Sequence, residues 1–225
     1  MQQEEAIESA IEEFKTQGVD LSGIFTGIGL QTHAVYKLSS QIKESISQSD
    51  CPCLEMSISS LEEVLSTDTP DSEIVPVLLA SKTISCFDAG VGVLQHDHAI
   101  LTQFLRMYSK ILLLSQDLKE EFRSGRYSDA IPFDHSNVHV KCAALTVAGS
   151  LAASHEAGKA VVMSKNPERY ILEVLNVAKE MNDVSLAIES TSAVIVPLAS
   201  ADDLTQPSSR YDSSRHLSRD NVHVD

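Results

Sequence analysis

Apolar residues recur at helical spacing along most of the chain. From 6 to 14, Ala6, Ile7, Ala10, Ile11 and Phe14 share one face while Glu4, Glu5, Glu8, Glu12 and Glu13 take the rest, and Gly18 supplies a left-handed stop. The stretch GVDLSGIFTGIGLQT that follows shows no sustained period. With Thr32 as its cap, a second helix is predicted from Val35, Leu38, Ile42 and Ile46, and a third from Leu54, Ile58, Leu61 and Leu65. After the turn TDTPDSE another helix begins, with Pro76 near its start. Ile100, Leu101, Phe104, Leu105, Tyr108, Ile111 and Leu112 form the strongest stripe and predict a helix over 98–114. Asp117 and Glu120 read as a capping pair for a short helix that ends before Gly125. Residues 126–136 form a polar, proline-containing connection, after which Val138, Cys142, Leu145, Ala148, Leu151 and Ala152 resume the helical pattern. Asn166 and Pro167 open a helix carrying Ile171, Val174, Leu175, Ala178 and Met181. Asp183 caps a last one with Leu186, Thr191, Val194, Ile195 and Leu198. Alternating strand patterns are missing, so the chain reads as all-α.

The helices repeat. Long ones end at the similar phrases EVLS, LLLS, LAAS and PLAS, at Ser66, Ser115, Ser154 and Ser200, spaced by 49, 39 and 46 residues. Two of these units continue into a short polar-capped helix, QDLKEEFRSG and HEAGKAVVMSKN. A period of about 40–47 residues with two or three helices per unit is the signature of armadillo and HEAT arrays. The expected fold is therefore an armadillo/HEAT-like right-handed α-solenoid of about three helical repeats. Residues 1–32 make an N-terminal amphipathic helix and Gly-rich linker, 33–200 carry the repeats, and 201–225 form a polar tail or repeat insertion. The last unit stops after its long helix, from which a fragment or truncated product is expected.

The 17 Lys and Arg residues against 32 Asp and Glu give a net charge of −15. Nucleic acid and anionic membrane would be repelled, and a basic protein segment is the expected partner. No apolar run approaches the roughly 20 residues of a membrane span. Four cysteines, no Asn-x-Ser/Thr sequon and an acidic N-terminal stretch point to a reducing intracellular compartment, the cytoplasm or the nucleus.

Candidate chemistry is sparse. His135, His139 and Cys142 would fall on one face of a continuous helix at i, i+4 and i+7, with ligand types suited to Zn²⁺, but a fourth ligand such as His155 has no reason in the sequence to lie near. The simpler reading is a helix start with solvated histidines and a buried thiol, and no metal or cofactor is expected. Cys51-Pro-Cys53 lacks both the second pair of a zinc site and the spacing of a redox site, and reads as a helix boundary. In His96-Asp97-His98, a helix cap is the simpler account than a catalytic dyad. Gly27-Ile28-Gly29 follows no strand and precedes no Lys, unlike a phosphate loop.

The run from Glu4 to Ile24, with Gln17, Gly18, Val19, Asp20, Leu21 and Ser22 at its centre, resembles the N-terminal signature of the armadillo repeat-containing protein six family. ASADDLTQPSSRYDSSRHLSRDN resembles that family's Asp-rich insertion within a repeat, after which further repeats follow. The resemblance implies an armadillo solenoid, an intracellular location and protein–protein binding without enzymatic activity, and it brings no catalytic residues. One helix of each unit would line a concave surface for an extended or helical partner segment. Polar residues of the helix 167–181, Asn176 and Lys179 among them, are candidate contributors. Two alternatives stand beside the scaffold: an obligate assembly subunit whose last unit buries itself against another chain, and a metal-dependent module using 135–142.

Overall fold

The computed structural model describes residues 30–67 and 70–198, with side chains described to residue 191. The helix over 6–14, the Gly-rich stretch with Gly27-Ile28-Gly29, and the tail from 201 lie outside the described residues.

The described chain is helical, with no strand. In order come α1 (Ala34–Gln48), α2 (Cys51–Leu65), α3 (Asp71–Ala80), a 3₁₀ turn (Thr83–Cys86), α4 (Phe87–Leu94) and α5 (His98–Leu114). Then follow α6 (Gln116–Ser124), a second 3₁₀ turn (Tyr127–Ala130), α7 (Val138–Ala152), α8 (Glu156–Ser164), α9 (Pro167–Met181) and α10 (Val184–Leu198). The long helices α2, α5, α7 and α10 hold equivalent places and pack one on the next, α2 on α5, α5 on α7 and α7 on α10. Two three-helix units, α3–α5 and α8–α10, flank a third in which residues 125–137, including the second 3₁₀ turn, replace the second helix. The pair α1–α2 precedes them. Each unit buries its apolar stripe against its neighbours, the packing logic of a solenoid.

The core follows from that stacking. Phe87 of α4, Phe104 and Tyr108 of α5 and Phe122 of α6 are fully buried, with ring centroids 4.8–6.0 Å apart. The Tyr108 hydroxyl, pushed well above its ordinary pKa by burial, donates to the Thr83 carbonyl at 2.7 Å and meets the Cys86 thiol at 3.2 Å. Thr83 Oγ1 donates to Ser39 Oγ at 2.8 Å, tying the 3₁₀ turn to α1. Helix α7 is buried almost all round because α5, α8, α9 and α10 all pack on it. Its Ala143, Ala144, Ala148, Gly149, Ser150 and Ala152 are small enough for those helices to approach closely. Lys119, 4% exposed, donates to the Ala153 carbonyl at the C-terminal end of α7, where a cation is favoured.

Several helix ends differ from expectation. His33 caps α1 in place of Thr32, its Nδ1 accepting from the Val35 amide at 3.2 Å. Ser115 caps α6 in place of Asp117, and Glu120 pairs with Arg123 instead. Asn166 makes no capping bond, because its backbone is left-handed (φ 52°). Pro76 lies inside α3, whose cap position is Pro70. Asp97 and Asp183 cap as expected, accepting from Ile100 and Leu186 amides at 3.1 and 3.0 Å. No single described helix is long and apolar enough to cross a membrane.

Candidate functional site

The stacked long helices α2, α5 and α10 are joined side chain to side chain across one exposed face. On α2 it carries Glu55, Ser59 and Glu62; on α5 it carries Ala99, Gln103, Arg106, Lys110 and Leu113, at the alternating three- and four-residue spacing of one helix stripe. The apolar halves of these helices are spent on the stack, so this polar stripe is what remains outside. Cross-links join it from helix to helix. Gln103 Nε2 donates to Ser59 Oγ at 2.8 Å and to Glu62 Oε2 at 3.3 Å, and Lys110 Nζ sits 3.1 Å from Glu62 Oε1. Arg106 Nη2 donates to both carboxylate oxygens of Glu189, at 2.8 and 3.1 Å, so α5 reaches α10 although α7 packs between them. These exposed pairs each contribute about 0–1 kcal/mol; their effect is to hold side chains in place more than to stabilise the stack.

One concavity adjoins this face and a second lies away from it. The first, about 350 Å³, lies between the first turns of α5 and α7 and is lined by His98, Ala99, Thr102, Arg106, Asn137 and His139. The other, about 510 Å³, opens where the third unit lacks its second helix. Ile131, Phe133 and Tyr170 contribute its apolar wall and Asp134 and Lys165 its polar rim. Phe133 stacks on Tyr170 with centroids 5.1 Å apart, and Lys165 Nζ meets Asp129 Oδ1 at 2.5 Å, which pins the loop.

The proposed zinc face does not assemble. Helix α7 starts at Val138, where Asn137 Oδ1 caps the amides of His139 and Val140 at 2.9 and 3.3 Å, so His135 precedes the helix and the i, i+4, i+7 register is broken. The His135 ring is 3.3 Å from the Gln95 carbonyl through Nε2, accepts from the Asn137 amide at 3.1 Å through Nδ1, and packs edge-on to His98 at 4.9 Å. His139 is exposed, while Cys142 is fully buried and its thiol is pushed up to about 12 by that burial. His155 caps α8 through the Gly158 amide at 2.9 Å. Among the described residues no three His, Cys, Asp or Glu side chains group as metal ligands. Cys51 and Cys53 fall in the first turn of α2, capped by Asp50, whose carboxylate accepts from the Cys53 amide at 3.2 Å and raises the Cys53 thiol pKa.

Asn176 and Lys179 are exposed on α9, the second helix of its unit, and not on the stacked long helices. Lys179 borders a shallow hollow with Leu175, Asn182, Asp183 and Val184. Sequence reading passed over Arg106, Lys110 and Gln103. Their spacing on the polar side of the strongest stripe was the available signal, but the helices they face were not.

Residues 1–48 match the family model of the Armadillo repeat-containing protein 6 N-terminal domain. The match takes in the acidic N-terminal stretch and α1, and it agrees with the resemblance carried by Glu4 to Ile24. No curated protein and no solved structure matches the chain.

Proposed function

We propose that this chain is a non-enzymatic armadillo-type scaffold that binds a segment of another protein along the exposed face of α2, α5 and α10. The observation that carries the reading is the joining of that face, with polar side chains cross-linked from α2 through α5 to α10. A surface so held loses little side-chain entropy when an extended segment lies on it. The armadillo-related match over 1–48 agrees with it.

The net charge of −15 favours a basic segment, and so do Glu55 and Glu63, exposed on α2 and without an ion-pair partner among the described residues. The charge is unevenly spread: residues 1–29 hold six acids, Glu4, Glu5, Glu8, Glu12, Glu13 and Asp20, against the single base Lys15. The stacked face itself is closer to neutral, because Lys110 and Arg106 answer Glu62 and Glu189. All four cysteines are unpaired, which suits a reducing compartment, cytoplasm or nucleus.

The test is site-specific photo-crosslinking of the full chain in cells, with the crosslinker at Glu55 or Leu113 on the stacked face and at Asp71 away from it. One protein captured from both face positions, absent from Asp71 and lost on raising salt, is the expected result. Capture that does not depend on position would refute it.

The second reading, an assembly subunit, rests on Leu172, Met181, Val184 and Ile188 of α9 and α10, each more than half exposed at 56–66%. A concentration-dependent dimer in sedimentation, abolished by Ile188→Glu, would favour it over the scaffold.

A further inference from the structure

The geometry points to a carboxylate-binding subsite in the cavity between the first turns of α5 and α7, which takes a Glu or Asp side chain of the bound segment. It rests on the scaffold reading and adds the partner's chemistry at one place. The cavity of about 350 Å³ is lined by one guanidinium, two imidazoles and the Asn137 amide, and among the described residues by no carboxylate, in a chain whose net charge is −15; the Thr102 hydroxyl in its wall already donates to the His98 carbonyl at 2.7 Å. Its donors come from two helices that pack directly on each other, so their separation is fixed by the core beneath them.

Arg106 is the centre of the site. It engages Glu189 through Nη2 alone, and among the described residues its Nε and Nη1 make no hydrogen bond. A guanidinium offers five donors in a planar fork, so a second carboxylate is accommodated on its remaining edge. Glu189 itself shows that this guanidinium takes a carboxylate from a neighbouring element; with a side chain 36% exposed, it also competes for the guanidinium's charge and repels a second carboxylate beside it. His98 is braced by the His135 ring, which is anchored through both of its nitrogens, and the backbone that carries His139 is held by the Asn137 cap on its amide. The nearest acid along the chain, Asp97, has its Oδ1 turned onto the Ile100 amide and is absent from the lining.

The consequence is a direction for the partner. Exposed Glu55 and Glu63 on α2 suit a basic end, and the His98–Arg106–His139 cavity suits an acidic one. The bound segment is therefore of mixed charge, laid basic end toward α2 and acidic end toward α7.

The test needs no knowledge of the partner. Ring C–H signals of His98 and His139 in the full chain, assigned from His98→Gln and His139→Gln variants, are followed by NMR during titration with blocked tetraglutamate, blocked tetralysine and inorganic phosphate. Tetraglutamate is expected to shift both signals saturably, tetralysine to leave them in place, and phosphate to bind more weakly than tetraglutamate. Arg106→Gln is expected to weaken tetraglutamate at least fivefold, whereas Glu189→Gln, which breaks the same ion pair, strengthens it two- to fivefold by removing the competitor. No saturable shift, an equal response to tetralysine, phosphate binding as tightly as the peptide, or equal weakening by both variants would each overturn the subsite. Failure here leaves the crosslinking result intact, and failure of the crosslinking leaves this titration intact, so the two readings fall separately.

Discussion

The hydroxyls of Ser109 and Ser150 meet at 2.8 Å inside the contact between α5 and α7, with both residues almost fully buried. Among the described residues each is the other's only side-chain partner, in the most extensively packed pair of helices in the stack. Removing one hydroxyl strands the other away from water, which costs about 1–3 kcal/mol, whereas removing both leaves two apolar groups of nearly the same shape. Ser109→Ala and Ser150→Ala are each expected to lower stability to chemical denaturation by about 1–3 kcal/mol, and the double variant by less than their sum. Additive losses would mean that the two hydroxyls do not depend on each other.

Helix α4 offers an internal comparison between two glycines. A methyl group at Gly90 would overlap the ring of Phe104, which is fully buried within the aromatic cluster, whereas one at Gly92 meets open space. Gly90→Ala is expected to destabilise by about 1–3 kcal/mol through overpacking. Gly92→Ala is expected to stabilise by about 0.5–1 kcal/mol, because alanine loses less backbone entropy in a helix. Thermal melts of the two variants check this, and equal shifts of the same sign would contradict the close approach.

The cysteines divide by position. Cys53 is exposed and Cys51 half-buried in the first turn of α2; Cys86 and Cys142 are buried, and burial pushes both of those thiols up, Cys142 to about 12. The thiolate is the reactive form. Alkylation of the folded chain is therefore expected to label Cys51 and Cys53 and to reach Cys86 and Cys142 only on unfolding. The Asp50 carboxylate, which raises the Cys53 thiol, sets a second expectation: Asp50→Asn keeps a good helix cap, removes the charge and speeds Cys53 labelling severalfold. Mass spectrometry of the labelled peptides reads both outcomes.

Much of the fold was legible because burial and helical period agree. The stripe Ile100 to Leu112 delivered α5 over His98–Leu114, and the polar run 126–136 marks the place where the third unit lacks a helix. Helix ends were harder. His33 and His155 cap with a ring nitrogen, and the left-handed turns use Ser49, Lys82, Arg126 and Ser154 as well as Asn166 and Asn182 in place of glycine; the asparagines favour that region, but the other four carry no such signal in the sequence. The zinc register failed by a few residues, because Asn137 begins α7 after His135. The stacked face was readable only by halves: Arg106 stands visibly on the polar side of its helix, but Glu189 lies 83 residues away and becomes its partner only once α5 and α10 both pack on α7.

The exposed ion pairs make acid the condition that should loosen the stack. Asp129 is held below the usual carboxylate range by Lys165, Glu173 by Lys141 and then Arg169, and Glu120 by Arg123. A carboxyl with a depressed folded pKa binds fewer protons folded than unfolded. Its contribution is therefore complete above the unfolded value, about 4 for Asp and Glu, and is lost as pH falls through the folded value. Glu121 acts in the opposite sense, since burial raises its pKa and protonation relieves that penalty, offsetting part of the loss. The melting temperature is expected to fall as pH drops from about 5 to about 3, and less steeply in Glu173→Gln, which releases both Lys141 of α7 and Arg169 of α9. An unchanged acid slope in that variant would show that the carboxylate between α7 and α9 contributes nothing to the pH dependence.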